Sequence, residues 1–250
     1  MQNKKDMLNN ELTMYDWICD LFPINRSLTG DGVRETLKYL SRIIPDMNIH
    51  SVKSGTKAFD WEIPDEWSIS QAYIEDSDGN IIVDFKNNNL HIVGYSTPVD
   101  DWFELDELEK YLHSLPDQPD AIPYVTSYYS RTWGFCLRHS ERQKLKPGSY
   151  HVVIKSKIFH GEMNYGELII PGIETKEVLL STYICHPSMA NNELSGPVVS
   201  TALVRHILKK KNRRYTYRIV FIPETIGSIV YLSKKIKHLQ ENVIAGFNVT

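Results

Sequence analysis

From Glu177 to Thr250 the chain alternates short apolar runs with longer segments whose apolar residues recur at helical spacing. EVLLSTYICH, TYRIVFIPE and NVIAGFNVT read as buried strands. GPVVSTALVRHILKK and SIVYLSKKIKHLQ, which separate them, read as helices. Neighbouring strands that run the same way need a crossover between them, and a helix is the usual one. The alternation therefore predicts an α/β fold, with a mixed, largely parallel sheet covered by helices. On the helix after Ser195, the residues Val199, Ala202, Leu203, His206 and Ile207 mark the expected apolar side.

The chain before Glu177 has a different texture. Residues 8–22 place Leu8, Leu12, Tyr15, Cys19 and Phe22 at helical spacing, Ile18 and Leu21 widen the stripe, and Pro23 ends it. Arg26-Ser27-Leu28-Thr29-Gly30 reads as a polar turn. Asp31 is placed to cap a second helix with Val33, Leu37, Leu40, Ile43 and Ile44 on its apolar side and Pro45 at its end. From about Asn48 short strand-like runs take over, with a strong hairpin signal at Asp76-Ser77-Asp78-Gly79-Asn80. LHIVGYS, SYYSRTWGFCLRHS and SYHVVIKSKIF read as further strands, and FELDELEKYLHSL as a short helix. The expected organisation is an αβ core made of residues 1–58 and 161–250, interrupted by an inserted β-rich domain over residues 59–160.

Composition excludes several classes. A net charge of −3 gives no electrostatic footprint for nucleic acid or an anionic membrane. The basic run Lys209–Arg214 lies between a helix and a strand and reads as a solvated turn. Cys19, Cys136 and Cys185 are odd in number and widely spaced, so they make no disulfide framework, which fits a reducing compartment. The N-terminus lacks an apolar signal core and no run reaches transmembrane length, so the expected location is the cytoplasm. Oligomeric state, a homo-oligomer included, is left open.

Two strand ends in the core carry residues with chemistry. His186 follows EVLLSTYIC, and Glu224 follows the strand RIVFI. The carboxyl ends of sheet strands are where α/β folds build their sites. An imidazole and a carboxylate meeting there suit a zinc ion with a general base beside it. Each also has a structural reading: a hydrogen-bonded histidine, or a glutamate at a helix start. Cys136 and His139 have ligand-like spacing without a second pair, so a buried cysteine is the simpler reading. Tyr128, Tyr129 and Trp133 are candidates for lining a cleft or for core packing.

The succession YGELIIPG, EVLLSTYICHPS, NNELSG, helix, strand, IPETIGS resembles the two-zinc aminopeptidases. INRSLTGDGVRETL, HIVGYSTPVD, LPDQPDAIPYVTSYY and HPSMANNELSGP look more closely like bacterial aminopeptidase-like proteins that carry an inserted β-rich domain and are often found among surface-polysaccharide biosynthesis genes. The resemblance implies that His186 is a metal ligand and Glu224 the general base. It places Asn192 at the position of a metal-bridging aspartate and Thr225 at the position of a ligand glutamate. Glu193 is the adjacent carboxylate that would substitute for Asn192 only along a different loop path. The family takes a further aspartate and histidine from later segments, so the resemblance implies a chain continued beyond Thr250.

Two functions follow. One is a metal-dependent hydrolase of a peptide or small-molecule aminoacyl or acylamino amide bond, using one or two zinc ions, with a cleft between the core and the β-rich domain. The other is a non-catalytic binding or assembly protein of surface-polysaccharide biosynthesis, which Asn192 and Thr225 favour.

Overall fold

The structure is a computed structural model that describes residues 12–250. Leu8 of the first expected helix lies outside them. In chain order the main elements are α1 (Met14–Leu21), α2 (Asp31–Ile43), β1 (Asn48–Lys53), β2 (Glu66–Asp76), β3 (Ile81–Asp84), β4 (Val99–Glu104), β5 (Ser149–Phe159), β6 (Glu162–Ile170), β7 (Glu177–Tyr183), α3 (Ser195–Leu208), β8 (Thr216–Ile222), α4 (Ile226–Asn242) and β9 (Val243–Asn248). They fall into two compact units. One comprises the chain up to Asp65 with His160–Thr250, and the other is Glu66–Phe159.

The first unit holds a five-stranded sheet in the order β1-β6-β8-β7-β9. β1 with β6 and β6 with β8 are antiparallel; β7 runs parallel to both β8 and β9. The mixed sheet expected from the strand–helix alternation is therefore present. α3 links β7 to its neighbour β8, and α4 links β8 to β9 on the far side of β7. Right-handed crossovers that step in opposite directions place their helices on opposite faces. Side chains agree. Ile219 and Phe221 of β8 join α1, α2 and α3 in one apolar core. Val220 and Ile222, pointing the other way, line an apolar recess with Tyr231, Leu232 and Leu239 of α4. The neighbouring carboxyl ends of β7 and β8 thus feed loops that leave for opposite faces, and the strand order reverses between β7 and β9.

α1 starts at a reciprocal cap: the Thr13 side chain accepts from the Asp16 N–H, and the Asp16 carboxylate accepts from the Thr13 N–H. Its buried residues are Trp17 and Leu21, while Tyr15 is 72% exposed and Cys19 is exposed, so the stripe expected from Tyr15, Cys19 and Phe22 is turned outward. α2 buries Val33, Leu37 and Leu40 as expected, with Gly30 rather than Asp31 at the cap position. α3 buries Gly196, Pro197, Val198, Ser200, Thr201 and Val204, whereas Val199 and Leu203 are each 40% exposed. The expected side of α3 is therefore displaced. Both sides are apolar enough to serve, and packing against α1 and β7 selects the one with small residues. The segment Arg26–Gly30, expected as a polar turn, is buried throughout.

The second unit is a four-stranded antiparallel sheet, β3-β2-β5-β4. Its hairpin at 76–80 is held by Asp76, whose carboxylate accepts from the N–H groups of Asp78 and Asn80. Two expected strands are replaced. LHIVGYS forms a 3₁₀ turn, Asn89–His91, and isolated bridges through Ile92 and Gly94. SYYSRTWGFCLRHS contributes a two-residue strand, Phe135–Cys136, and a single helical turn, His139–Arg142. These runs bury Ile92, Val93, Tyr95, Phe135 and Leu137 without extended backbone pairing. FELDELEKYLHSL gives a helical turn at Leu105–Leu108, a 3₁₀ turn at Glu109–Tyr111 and then a strand at Leu112–His113. Among the described residues no helix is long and apolar enough to cross a membrane. Lys209–Lys211 are exposed, as a solvated turn requires.

Candidate active site

β7 carries the chain to the site as a strand flanked on both sides. Pairing continues one residue past it, where Ile184 N–H donates to Ile222 O at 3.0 Å. Cys185 and His186 come next, both buried. The chain then breaks away sharply. Ser188 has a φ of 40° and donates from Oγ to Phe22 O at 3.1 Å. A π-helical turn, Ala190–Leu194, leads into α3. This wide turn decides which acidic or amide side chain faces inward. Glu193 is fully buried, and Asn192 is exposed. The Asn192 backbone carbonyl accepts from Tyr183 Oη at 2.5 Å, and its side chain makes no hydrogen bond among the described residues.

On the adjacent strand, β8 ends at Ile222, and Pro223 and Glu224 follow. The Glu224 N–H donates to Cys185 Sγ at 3.2 Å, which ties the two strand ends together. Thr225 has φ 56° and ψ −80°, in the left-handed region that a β-branched residue rarely enters. That sharp turn leaves Glu224 outside α4, so its carboxylate is not spent on the helix start. Its side chain is 52% exposed.

The two expected residues meet. His186 Nε2 lies 3.2 Å from Glu224 Oε2. On its other side His186 Nδ1 lies 3.1 Å from Glu193 Oε2. Glu193 Oε1 in turn is 3.4 Å from Arg26 Nε. Arg26 donates to His186 O at 3.0 Å and to Leu21 O at 2.7 Å. A row of four ionisable groups therefore runs from the interior to the surface. Burial raises the Glu193 carboxyl above its ordinary value, opposed by His186 and Arg26. Burial lowers the Arg26 guanidinium, opposed chiefly by Glu193. Burial holds the Cys185 thiol well above its ordinary value, with the Glu193 charge adding to the effect.

One donor atom each from Cys185, His186 and Glu224 lie within 4.8 Å of one another. A thiol, an imidazole and a carboxylate are the ligand types of catalytic zinc sites. His186 also has the support such a ligand needs, a carboxylate at its second ring nitrogen. His186 and Cys185 are donors that fit one zinc ion, with the Glu224 carboxylate beside them free to act as a base. Among the described residues no second set of three donors accompanies this group: Asn192 faces solvent, Thr225 offers only a hydroxyl, and Glu193 is paired with Arg26. Cys136 and His139 join no group of three donors among the described residues. Burial lifts the Cys136 thiol to about 12, and His139 Nδ1 lies 3.0 Å from Ser114 Oγ. Tyr128 pairs with Tyr124 through their hydroxyls, and Trp133 stacks on Tyr111 at 3.9 Å. Arg26 was missed from the sequence because nothing local distinguishes it from an exposed turn arginine.

Residues 15–250 match the family described as a domain of unknown function, DUF4910. The chain belongs to that family. The DUF4910 chain is 47% identical over 235 residues to a Clostridium acetobutylicum protein with the provisional name of a polysaccharide biosynthesis protein with aminopeptidase-like domain. The alignment covers 93% of this chain and 54% of that protein. A crystal structure from Clostridium acetobutylicum, provisionally named a peptidase, superimposes with a TM-score of 0.91 at 46% identity, over 99% of this chain and 57% of that one. The DUF4910 chain thus spans little more than half the length of these relatives. A zinc aminopeptidase from Bacillus subtilis shares the fold with a TM-score of 0.60 at 13% identity, over 94% of this chain and 67% of that one. The fold is aminopeptidase-like.

Proposed function

We propose that the site at the ends of β7 and β8 hydrolyses an amide bond in a zinc-dependent reaction. The observation that carries this reading is the approach of His186 Nε2 to Glu224 Oε2 at the carboxyl ends of two adjacent parallel strands, within an aminopeptidase-like fold. The substrate class is a peptide N-terminus or a small aminoacyl or acylamino compound.

His186 would hold the ion, with Cys185 Sγ close enough to add a sulfur donor. When bound, zinc supplies a Lewis acid and lowers the pKa of a water to about 7. Glu224 is the residue with the freedom to move protons. Its half-exposed carboxylate sits at the mouth of the site, on a loop that directs it away from α4. It takes a proton from the attacking water and returns it to the leaving amine. Glu193 and Cys185 stay buried and do not exchange protons with substrate.

Glu224→Gln in the full-length protein is expected to abolish hydrolysis while zinc remains bound. Unchanged turnover would remove Glu224 from the mechanism. A second reading, a non-catalytic protein of surface-polysaccharide biosynthesis, is supported by the relative's name and by Asn192 and Thr225 at the positions of expected carboxylates. Elemental analysis separates the two: protein without stoichiometric zinc, and with no activity on zinc addition, favours the second.

A further inference from the structure

Arg26 is the largest fully buried side chain described, and it comes from a segment that reads as a surface turn. One of its nitrogens donates to Leu21 O and, at 3.4 Å, to Thr36 Oγ1; another donates to His186 O. A guanidinium stays charged in a protein interior and needs an opposite charge there. Glu193 is its ion-pair partner, and that carboxylate is also fully buried. Arg26 thus holds two things at once, the backbone of His186 and the carboxylate beside its ring, across 160 residues of sequence.

The consequence falls on the imidazole. A neutral histidine has one N–H and one lone pair, and the carboxylate that takes the N–H decides which is which. His186 has a carboxylate at each nitrogen. Glu193 is fully buried and paired with Arg26, whereas Glu224 is half exposed. The His186 Nδ1–Glu193 Oε2 contact is 3.1 Å long, and a carboxylate attracts a nearby N–H more strongly when it is buried than when water competes for it.

We propose that Glu193 and Arg26 are positioning residues for His186. Glu193 accepts the Nδ1 proton, Arg26 fixes Glu193 and the His186 backbone, and Nε2 is presented to the site beside Glu224. With the Nδ1 proton committed, Nε2 and Glu224 face each other as two acceptors 3.2 Å apart, a gap suited to a proton or a cation. The proposal rests on the reading of His186 as a donor of that site.

The test is nitrogen-15 NMR of histidine-labelled, chelator-treated full chain at alkaline pH, where the two tautomers of a neutral imidazole are distinguished. The His186 signals are assigned by their loss in His186→Gln. The expected wild-type spectrum shows a protonated Nδ1. In Glu193→Gln the balance moves towards Nε2–H, now drawn by Glu224, by roughly tenfold, the equivalent of one pKa unit. Arg26→Lys keeps the wild-type signature and Arg26→Met loses it. A wild-type Nε2–H tautomer overturns the proposal even if no variant folds. So does a Glu193→Gln or Arg26→Met spectrum identical to wild type. Absence of amide hydrolysis with the Nδ1–H signature intact counts against the hydrolase reading alone.

Discussion

The Arg218 guanidinium lies against the Glu177 carboxylate in a two-point contact, Nε to Oε2 at 2.6 Å and Nη2 to Oε1 at 2.9 Å. Both side chains are buried between the sheet and α4. Glu167 approaches from the opposite side, Nη1 to Oε1 at 2.5 Å, and Tyr231 Oη donates to the same oxygen at 2.6 Å. Two buried carboxylates thus share one buried arginine. Glu177→Gln should destabilise the protein by about 3 kcal/mol, near the lower end for breaking a buried pair because Glu167 still compensates the arginine. Urea denaturation measures the loss; a cost below that of an exposed pair would show that the network is not desolvated.

The same network sets an acid limit. Burial works to raise the carboxyls of Glu167 and Glu177, but Tyr231 and Arg218 outweigh it at Glu167, and Arg218 and His238 outweigh it at Glu177. Both end below their ordinary value of 4.5. A folded-state pKa below the unfolded one contributes stability above the unfolded value, and the contribution is lost as pH falls through the folded one. Thermal stability should therefore drop as pH falls below about 4.5. In Glu177→Gln the drop should be shallower.

In the second unit His151 faces two carboxylates across the sheet, Glu75 at 2.9 Å from Nδ1 and Asp100 at 2.8 Å from Nε2. Trp102 stacks on its ring and Tyr73 meets it edge-on. The Glu75 hydrogen bond chiefly raises the His151 pKa above 6.5, with Asp100 adding to it and burial opposing. A raised folded-state pKa gives stability that is full below the unfolded value and lost as pH rises through the folded one. Unfolding of this unit followed by Trp102 fluorescence should occur at lower temperature above that pH. His151→Gln should remove the dependence, and a variant that retains it would place the titration elsewhere.

Gly196 begins α3 against the sheet. A Cβ there would lie 2.4 Å from Thr182 Oγ1 and 2.4 Å from Val249 O, and the second is backbone that cannot swing aside. Gly196→Ala should cost roughly 1–3 kcal/mol, the usual penalty of overpacking. A melting temperature equal to wild type would mean that β9 and α3 have room to separate.

Zinc binding should depend on the inward residues and not on the outward one. His186→Ala is expected to remove zinc binding in calorimetric titration, whereas Asn192→Ala leaves it unchanged. Equal losses in the two variants would mean that Asn192 turns inward when metal binds.

His186 and Glu224 could be read from the sequence because each follows an apolar run that ends in proline-containing turns, and strand ends converge in an α/β sheet. Glu193 and Arg26 could not. Their contact spans a large part of the chain and depends on a π-helical turn that reverses the facing of neighbouring residues. Arg218 gave a weak signal, one charge inside the run TYRIVFI, but its partners Glu167 and Glu177 lie on other strands.

The sequence by itself determined the order of strands and helices in the core and the hairpin at Asp76. Periodicity, capping and turn chemistry act over a few residues, so they are written locally. Tertiary structure decided which side of α3 is buried, since Val198 and Val199 are equally apolar and only the packing partner distinguishes them. It also decided that Glu193 backs His186 and that Asn192 faces water. The direction of a side chain in a loop is set by what distant segments place beside it, and here that segment carries the buried charge of Arg26.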